Sequence, residues 1–304
     1  MIYIKDINDS LKIFQALSSP VRLQILSILH DNVEININEL SQKLNLSNGA
    51  LTSHIKQLSD CGLIKVRLAT IPKGIQKLCS LAEDKIIVDI KNKANTLPSY
   101  NLELNVGQYS EFKVNAPCGL GTQNGIIGGY DSEEFFSYPD RFNADIAWFT
   151  NGQIKYVYPK MVNSKQKIRE IQFTLEVSAE APGASMDYPS IIEVLVNNVK
   201  LGDDFVPGEQ FDRRGKLTPL WWKNNFGQYG WLKLYSITEE GSFFSGEKVS
   251  DITIDDLNLD SESTISLTLG CKQRENISGG ITLFGKKFGD HDQGIKLKII
   301  YDEN

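Results

Sequence analysis

The sequence predicts an α+β multidomain chain: a small helical domain with a β-hairpin over residues 1–95, then an antiparallel β-sandwich or jelly roll over residues 96–304. Three observations predict it. Apolar residues recur at helical spacing as far as about residue 61. Beyond Tyr100 the chain breaks into short β-branched or alternating runs separated by Gly, Pro, Asn and Asp clusters. Charge divides at the same place: residues 1–95 hold 12 Lys/Arg against 9 Asp/Glu, and the remainder holds 20 against 29. A chain of 304 residues also exceeds one domain of ~100–200 residues.

The elements of the first part follow from their local chemistry. Ile7, Leu11, Ile13, Phe14 and Leu17 lie close to helical spacing and stop at Ser18-Ser19-Pro20. A second helix starts there, with Ser19 as N-cap and Pro20 at the first helical position, where its missing N–H would be unpaired anyway. It carries Leu23, Ile25, Leu26, Ile28 and Leu29 and closes at Asp31-Asn32. A short extended piece, Glu34 to Ile37, precedes Asn38, the expected cap of a helix reaching Leu44. Asn45-Leu46-Ser47 makes a tight turn, and the next helix runs from about Asn48 to Cys61 with Leu51, Ile55 and Leu58 inward. Gly62 is the left-handed residue that ends it. Leu63 to Leu68 and Ile75 to Leu81 are the strands of a hairpin wing. A further helix is expected from Ala82 to about Ala94, with a linker at Asn95 to Ser99.

In the second part, strands are expected at Ile171 to Val177, Ile191 to Val196, Leu232 to Ile237, Ile252 to Ile254, Thr264 to Leu269 and Ile295 to Tyr301. Cys61, Cys79, Cys118 and Cys271 are far apart and form no CxxC pair. They read as reduced, partly buried thiols rather than zinc ligands or a disulfide frame. With no basic-then-apolar leader and no apolar run of ~18 residues, the expectation is a cytoplasmic chain without a membrane partner.

A tight turn followed by a helix with a short, polar outer face is what major-groove insertion of double-stranded DNA requires. Ser47, Asn48, Gly49, Thr52, Ser53 and His54 supply that face. Lys56, Arg67 and Lys73 are placed to follow phosphates, which adds affinity without sequence information. His54 reads equally well as a half-buried packing residue. The acidic second part should repel DNA, so nucleic-acid contact belongs to the first.

These residues resemble the ArsR/SmtB family of winged-helix repressors. The stretches LSSPVRLQILSIL, INELSQKLNLSNGALTSHIKQLSDCGLIKVR and the wing up to KLCSL carry the resemblance across residues 8–81. It implies a winged helix-turn-helix, a homodimer held by the first and last helices of the domain, an operator read by Asn48 to Lys56, and a wing on the adjacent groove. The family's metal sensors place thiolates before the turn, whereas this chain has Asn36 and Asn38. The segment after the wing has neither His nor Cys. No metal and no cofactor are therefore expected.

Sensing is then expected of the second part. One stretch crowds Trp221, Trp222, Tyr229 and Trp231 with Asp212, Arg213, Arg214, Asn224, Asn225 and Gln228; another offers Asp290, His291, Asp292 and Gln293. From these, Arg213, Arg214, Trp221, Trp222, Asn224, Gln228, Trp231, Asp290 and Gln293 are the candidate ligand-binding residues. Aromatic faces beside amides, Arg and Asp suit the C–H face and hydroxyl rim of a sugar effector. The texture is similar to carbohydrate-binding β-sandwich modules. The rival reading is an interaction or oligomerisation domain with the tryptophans in its core. No spacing singles out a catalytic carboxylate pair, so the chain is expected not to be an enzyme.

Overall fold

The computed structural model describes residues 2–4, 7–30, 34–71, 74–83, 85–88, 97–163, 165–179, 188–259, 261–271 and 279–303. The chain divides into two compact units, Met1–Asn92 and Lys93–Asn304.

Unit 1 is a winged helix-turn-helix. Its helices are α1 (Leu11–Leu17), α2 (Pro20–His30), α3 (Ile37–Leu44) and α4 (Asn48–Asp60). Its strands are β1 (Ile2–Ile4), β2 (Ile35–Asn36), β3 (Ile64–Ile71), β4 (Gly74–Leu81) and β5 (Ile86–Val88). Ile25, Leu29, Ile35, Leu40, Leu51, Ile55, Leu58, Leu63, Ile64 and Cys79 form its buried core. Each helix sends its inner stripe there, and the wing closes the core through Ile64 and Cys79. The wing sheet runs β2-β4-β3, with β3 and β4 antiparallel from Ile64↔Leu81 to Ile71↔Gly74. Gly62 ends α4 at φ 75°, a conformation glycine adopts without steric cost.

Two expectations in this unit are corrected. The cap of α3 is Asn36, not Asn38: the Asn36 side chain accepts the Glu39 N–H at 2.9 Å. Moving the cap two residues back puts Leu40 on the buried stripe and leaves Asn38 on the outer face. The segment after the wing is not helical at Ile86–Val88, which pairs in parallel with Ile2–Ile4. Ile86-Ile87-Val88 are three consecutive β-branched residues, which lose side-chain freedom in a helix and fit a pleated strand. The rest of that expected helix, from Asp89, lies outside the described residues, as do the Asp31-Asn32 stop and the Asn95-Thr96 end of the linker.

Unit 2 is an antiparallel β-sandwich whose two walls are stitched into one nearly closed sheet. In chain order its strands are β6 (Ser99–Leu104), β7 (Glu111–Thr122), β8 (Gly125–Ile126), β9 (Ile146–Pro159), β10 (Gln166–Ser178), β11 (Ser190–Val196) and β12 (Val199–Val206). Then follow β13 (Trp231–Thr238), β14 (Gly241–Phe244), β15 (Glu247–Ser250), β16 (Thr264–Cys271), β17 (Ile281–Phe284) and β18 (Ile295–Glu303). The ladder runs β12-β11-β16-β9-β17-β10-β13-β14-β15, with β7 and β8 added beside β9, and β18 then β6 added beside β10. Strand β17 makes the stitch, pairing Leu283 with Ala147 of β9 and with Val177 of β10.

Alternation sets the walls. In β11, Ile192, Val194 and Val196 are buried, while Ile191, Glu193 and Leu195 are only half-buried. Buried tyrosines spend their hydroxyls on backbone carbonyls: Tyr156 donates to Val106 O at 2.7 Å and Tyr158 to Ile295 O at 2.9 Å, because an unpaired buried hydroxyl would be costly. The pairing of β7 with β9 shifts register between Asn115 and Cys118, where Pro117 has no N–H to give the ladder. Ile252 to Ile254 is not a strand. Ile254–Leu257 forms a 3₁₀ turn instead, closed by a capping box between Thr253 and Asp256.

None of the four cysteines is in a disulfide; Cys61 is half-buried and the others are buried. Burial pushes the Cys79 thiol up to about 11 and the Cys118 thiol up to about 12, which makes both unreactive near neutral pH.

Candidate functional site

The first candidate site is the outer face of α4. Ser47 caps the helix, its Oγ accepting the Ala50 N–H at 3.3 Å. Thr52 Oγ1 turns back onto the Asn48 carbonyl at 2.7 Å. Asn48 Nδ2 donates to Asn38 Oδ1 at 2.9 Å across the turn. Asn48, Gly49, Thr52, Ser53, Lys56 and Gln57 are exposed, while Leu51, Ile55 and Leu58 of the same helix are fully or nearly fully buried. The face offered outward is therefore polar, short over its first two turns, and without a carboxylate until Asp60 at the end of the helix. His54 is half-buried, and its Nδ1 is buried with no hydrogen-bond partner among the described residues. Arg67 Nε donates to Glu34 Oε1 at 2.6 Å and its Nη2 pairs with Glu34 Oε2, so that cation is held against the wing. Lys73 lies outside the described residues.

The second candidate site is built by two loops of unit 2, residues 207–230 between β12 and β13 and residues 285–294 between β17 and β18. Arg213 forks onto Asp290, with Nη1 3.0 Å from Oδ1, and lies 3.9 Å over the Tyr229 ring. The Asp290 Oδ1 also accepts the Lys216 N–H at 2.9 Å. Burial disfavours its charge, yet Arg213 and that N–H hold the Asp290 carboxyl below its ordinary value. Arg214 donates to the carbonyls of Pro219 (2.7 Å) and Trp222 (3.3 Å) and to Asn224 Oδ1. Gln228 Nε2 donates to the carbonyls of Lys223 and Phe226, while its Oε1 is buried without a partner among the described residues. The charges and amides singled out from the sequence thus largely hold these loops in shape.

Beneath both loops sits Glu176 of β10, fully buried, accepting the N–H groups of Gly230 (2.8 Å), Asp290 (2.9 Å) and His291 (2.8 Å). Burial pushes its carboxyl up to about 8, against those three donors and with the Asp290 charge adding to the rise. Gly289, at φ 76°, lies so close that a Cβ there would stand 2.4 Å from Glu176 Oε1. No sequence signal marks Glu176, which reads as one polar residue in an alternating strand.

The tryptophans divide. Trp222 is buried with Ile146, Trp148, Phe284 and Phe288, and its Nε1 donates to Gly227 O at 2.9 Å. Trp221 is half-buried, edge-on to Trp222, and donates to Gln123 O at 2.8 Å. Trp231 is half-buried against the main core, its Nε1 buried without a partner among the described residues. Gln293 is buried, its Nε2 likewise unpartnered. Leu220, next to Trp221 in sequence, is 88% exposed, and Tyr130, which leans on Trp148, is 51% exposed.

Residues 19–65 match the winged helix-turn-helix DNA-binding family. Over 81 residues the chain is 32% identical to an uncharacterised HTH-type transcriptional regulator of Methanocaldococcus jannaschii, an overlap of 27% of this chain and 84% of that protein. The chain belongs to the winged helix-turn-helix transcriptional regulators. This regulator is also 42% identical over 55 residues to the transcriptional activator HlyU of Vibrio cholerae, or 18% of its own length and 50% of that protein. The solved structure of reduced HlyU overlaps 24% of the regulator and 73% of itself, at 32% identity and a TM-score of 0.22. A carbohydrate-binding module solved with calcium and xylotriose overlaps 67% of the regulator and 99% of itself, at 6% identity and a TM-score of 0.28. That likeness is too slight to say what the regulator binds.

Two further features of the regulator were not legible in its sequence. Arg22 is buried and donates to the Ala16 and Gln15 carbonyls at the end of α1, so one of the basic residues of unit 1 is structural. A groove of about 890 Å³ is lined by Lys160, Asn163, Gln166, Lys167, Asn258 and Ser261, among others. It lies at the Pro159 end of β9, whereas the tryptophans gather at the Ile146 end. Among the described residues, no group of three or more His, Cys, Asp or Glu side chains could hold a metal ion, and no helix is long and apolar enough to cross a membrane.

Proposed function

We propose that this regulator binds a roughly palindromic DNA operator as a homodimer, with α4 in the major groove, and that unit 2 takes a small ligand, a sugar by chemical class, that alters operator affinity. The carrying observation is the two-sidedness of α4: Leu51, Ile55 and Leu58 lock it into the core, while Asn48, Gly49 and Ser53 stand outward as short polar or bare positions with the Lys56 cation beside them. Resemblance to the ArsR/SmtB family supports the dimer. Support for a sugar is the half-buried Trp221 face at a loop end rich in amides, since aromatic faces stack on pyranose C–H faces. A coupling of about 1–3 kcal/mol would suffice for regulation.

Gel-shift titration of the full chain against operator and random duplexes tests the first part. Equal affinity for both would remove it. A thermal-shift screen against mono- and oligosaccharides tests the second, because a ligand specific to the folded state raises the melting temperature by mass action. The exposed Leu220 and Tyr130 favour one rival reading, an interaction surface for another protein. A flat screen together with Leu220→Ser abolishing self-association or partner capture would select it.

A further inference from the structure

The outer start of α4 holds two features the fold does not need. Asn48 Nδ2 donates to Asn38 Oδ1 at 2.9 Å, although both side chains are exposed. Water offers an exposed amide the same bond, so the pair contributes little to stability. What it does is fix the orientation of the Asn48 carboxamide, since one of its two protons is committed. Next to it, Gly49 is helical, with no positive φ, and a Cβ there would meet nothing within 4 Å. Glycine weakens a helix relative to alanine, and no turn, packing contact or left-handed backbone in the chain calls for it. A bare backbone position with empty space above it leaves room for something outside the chain to come close.

We propose that Asn38 is a positioning residue that holds Asn48 for a two-hydrogen-bond contact with one adenine of the operator, and that Gly49 gives that base pair clearance. The chemistry selects the base. With one proton held by Asn38, Asn48 keeps its second amide proton and its Oδ1. The major-groove edge of adenine presents one acceptor, N7, and one donor, the N6 amino group, which match that pair. Guanine presents two acceptors and no donor there, so it would leave Oδ1 facing an oxygen. The inference rests on the reading of α4 as the groove helix.

The test selects duplexes from a randomised pool with the full chain, then measures affinities for the selected site and its single-base variants. The wild type is expected to prefer adenine over guanine at one position per half-site by about tenfold or more. Asn48→Ala should remove the preference at that position alone. Asn38→Ala should lower it by about threefold or more while affinity for random duplex stays within about twofold. Asn38→Asp keeps an acceptor for Asn48 and should restore the preference, although its charge weakens binding to every duplex. Gly49→Ala should raise the melting temperature yet weaken the selected site more than random DNA. Full adenine preference in Asn38→Ala, or unchanged operator binding in Gly49→Ala, overturns the proposal. A wild type that selects no sequence at all refutes instead the placement of α4 in the groove, and the proposal falls with it.

Discussion

Arg213 and Asp290 stand 77 positions apart in sequence, yet their side chains meet as a fork, with Nη1 3.0 Å from Oδ1. With the Lys216 ammonium 4.0 Å from Asp290 Oδ2, this fork joins the loop before β13 to the loop before β18. Asp290→Ala removes the fork and the acceptor of the Lys216 N–H together. It is expected to destabilise unit 2 by about 1.5–3 kcal/mol, the range for hydrogen bonds to charged groups. Chemical denaturation of the full chain measures this, and an unchanged transition of unit 2 would show that the loops are held by other means.

Glu176 sets a pH dependence. In the unfolded chain its carboxyl titrates near 4.5, and in the folded chain near 8. Below the first value it is protonated in both states. Between the two, the folded state keeps a proton that the unfolded state has released, so stability falls as pH rises, by at most about 1.4 kcal/mol per pH unit. Above about 8 this contribution is gone. The melting temperature of unit 2 should therefore decline from pH 5 to pH 8 more steeply than that of Glu176→Gln. Parallel curves for the two proteins would place the Glu176 charge elsewhere in its titration.

Leu51 and Asn36 support the reading head in different ways. Leu51 is fully buried, and Leu51→Ala should cost about 2–5 kcal/mol and abolish operator binding. Asn36 caps α3 from a half-buried position, and Asn36→Ala should cost about 1 kcal/mol with operator binding retained. Urea titration combined with gel shift separates the two, and equal losses of stability would contradict this division.

Lys56 and Ser53 are both exposed on α4 but should fail differently. Lys56→Ala is expected to weaken specific and random duplexes alike and to reduce the slope of log affinity against log salt by about one. Ser53→Ala should lower discrimination between them and leave the salt slope unchanged. A salt slope untouched by Lys56→Ala would remove it from the phosphate track.

Added zinc, cadmium or arsenite should leave the operator complex intact at one equivalent. Where thiolates would be needed, Asn36 is occupied as a cap and Asn38 as the partner of Asn48. Release of DNA by one metal equivalent, followed by filter binding, would overturn this.

The helical half of the fold was legible because its signals are local. The Asn45-Leu46-Ser47 turn and the Gly62 stop, with Leu51, Ile55 and Leu58 between them, are written within eighteen residues, and no distant partner competes. Ile86-Ile87-Val88 failed for the opposite reason: its partner Ile2-Tyr3-Ile4 lies at the other end of the unit, and periodicity cannot see a parallel pairing. In unit 2 the clustering of Trp, Arg and Asp did mark the loops that come together. It could not tell ligand contacts from scaffolding, because an Arg that forks a distant Asp and an Arg that would fork a ligand look alike in sequence. Glu176 was invisible for that reason too, its three donors being backbone N–H groups that any residue could supply.

The position of β18 bears on how the protein is made. It lies between β6 and β10, and Gly294, just before it, donates to Glu103, 191 residues away. At roughly 5–20 residues per second on a ribosome, β6 waits some 10–40 s for the strand it pairs with among the described residues. All the described elements of unit 1 are synthesised by Val88, so the winged helix-turn-helix can fold while β6 and β10 of unit 2 still lack their pairing to β18. During that interval the nascent chain would be competent to touch DNA yet unable to close unit 2, and its exposed edges are the places where a neighbouring nascent chain could pair instead.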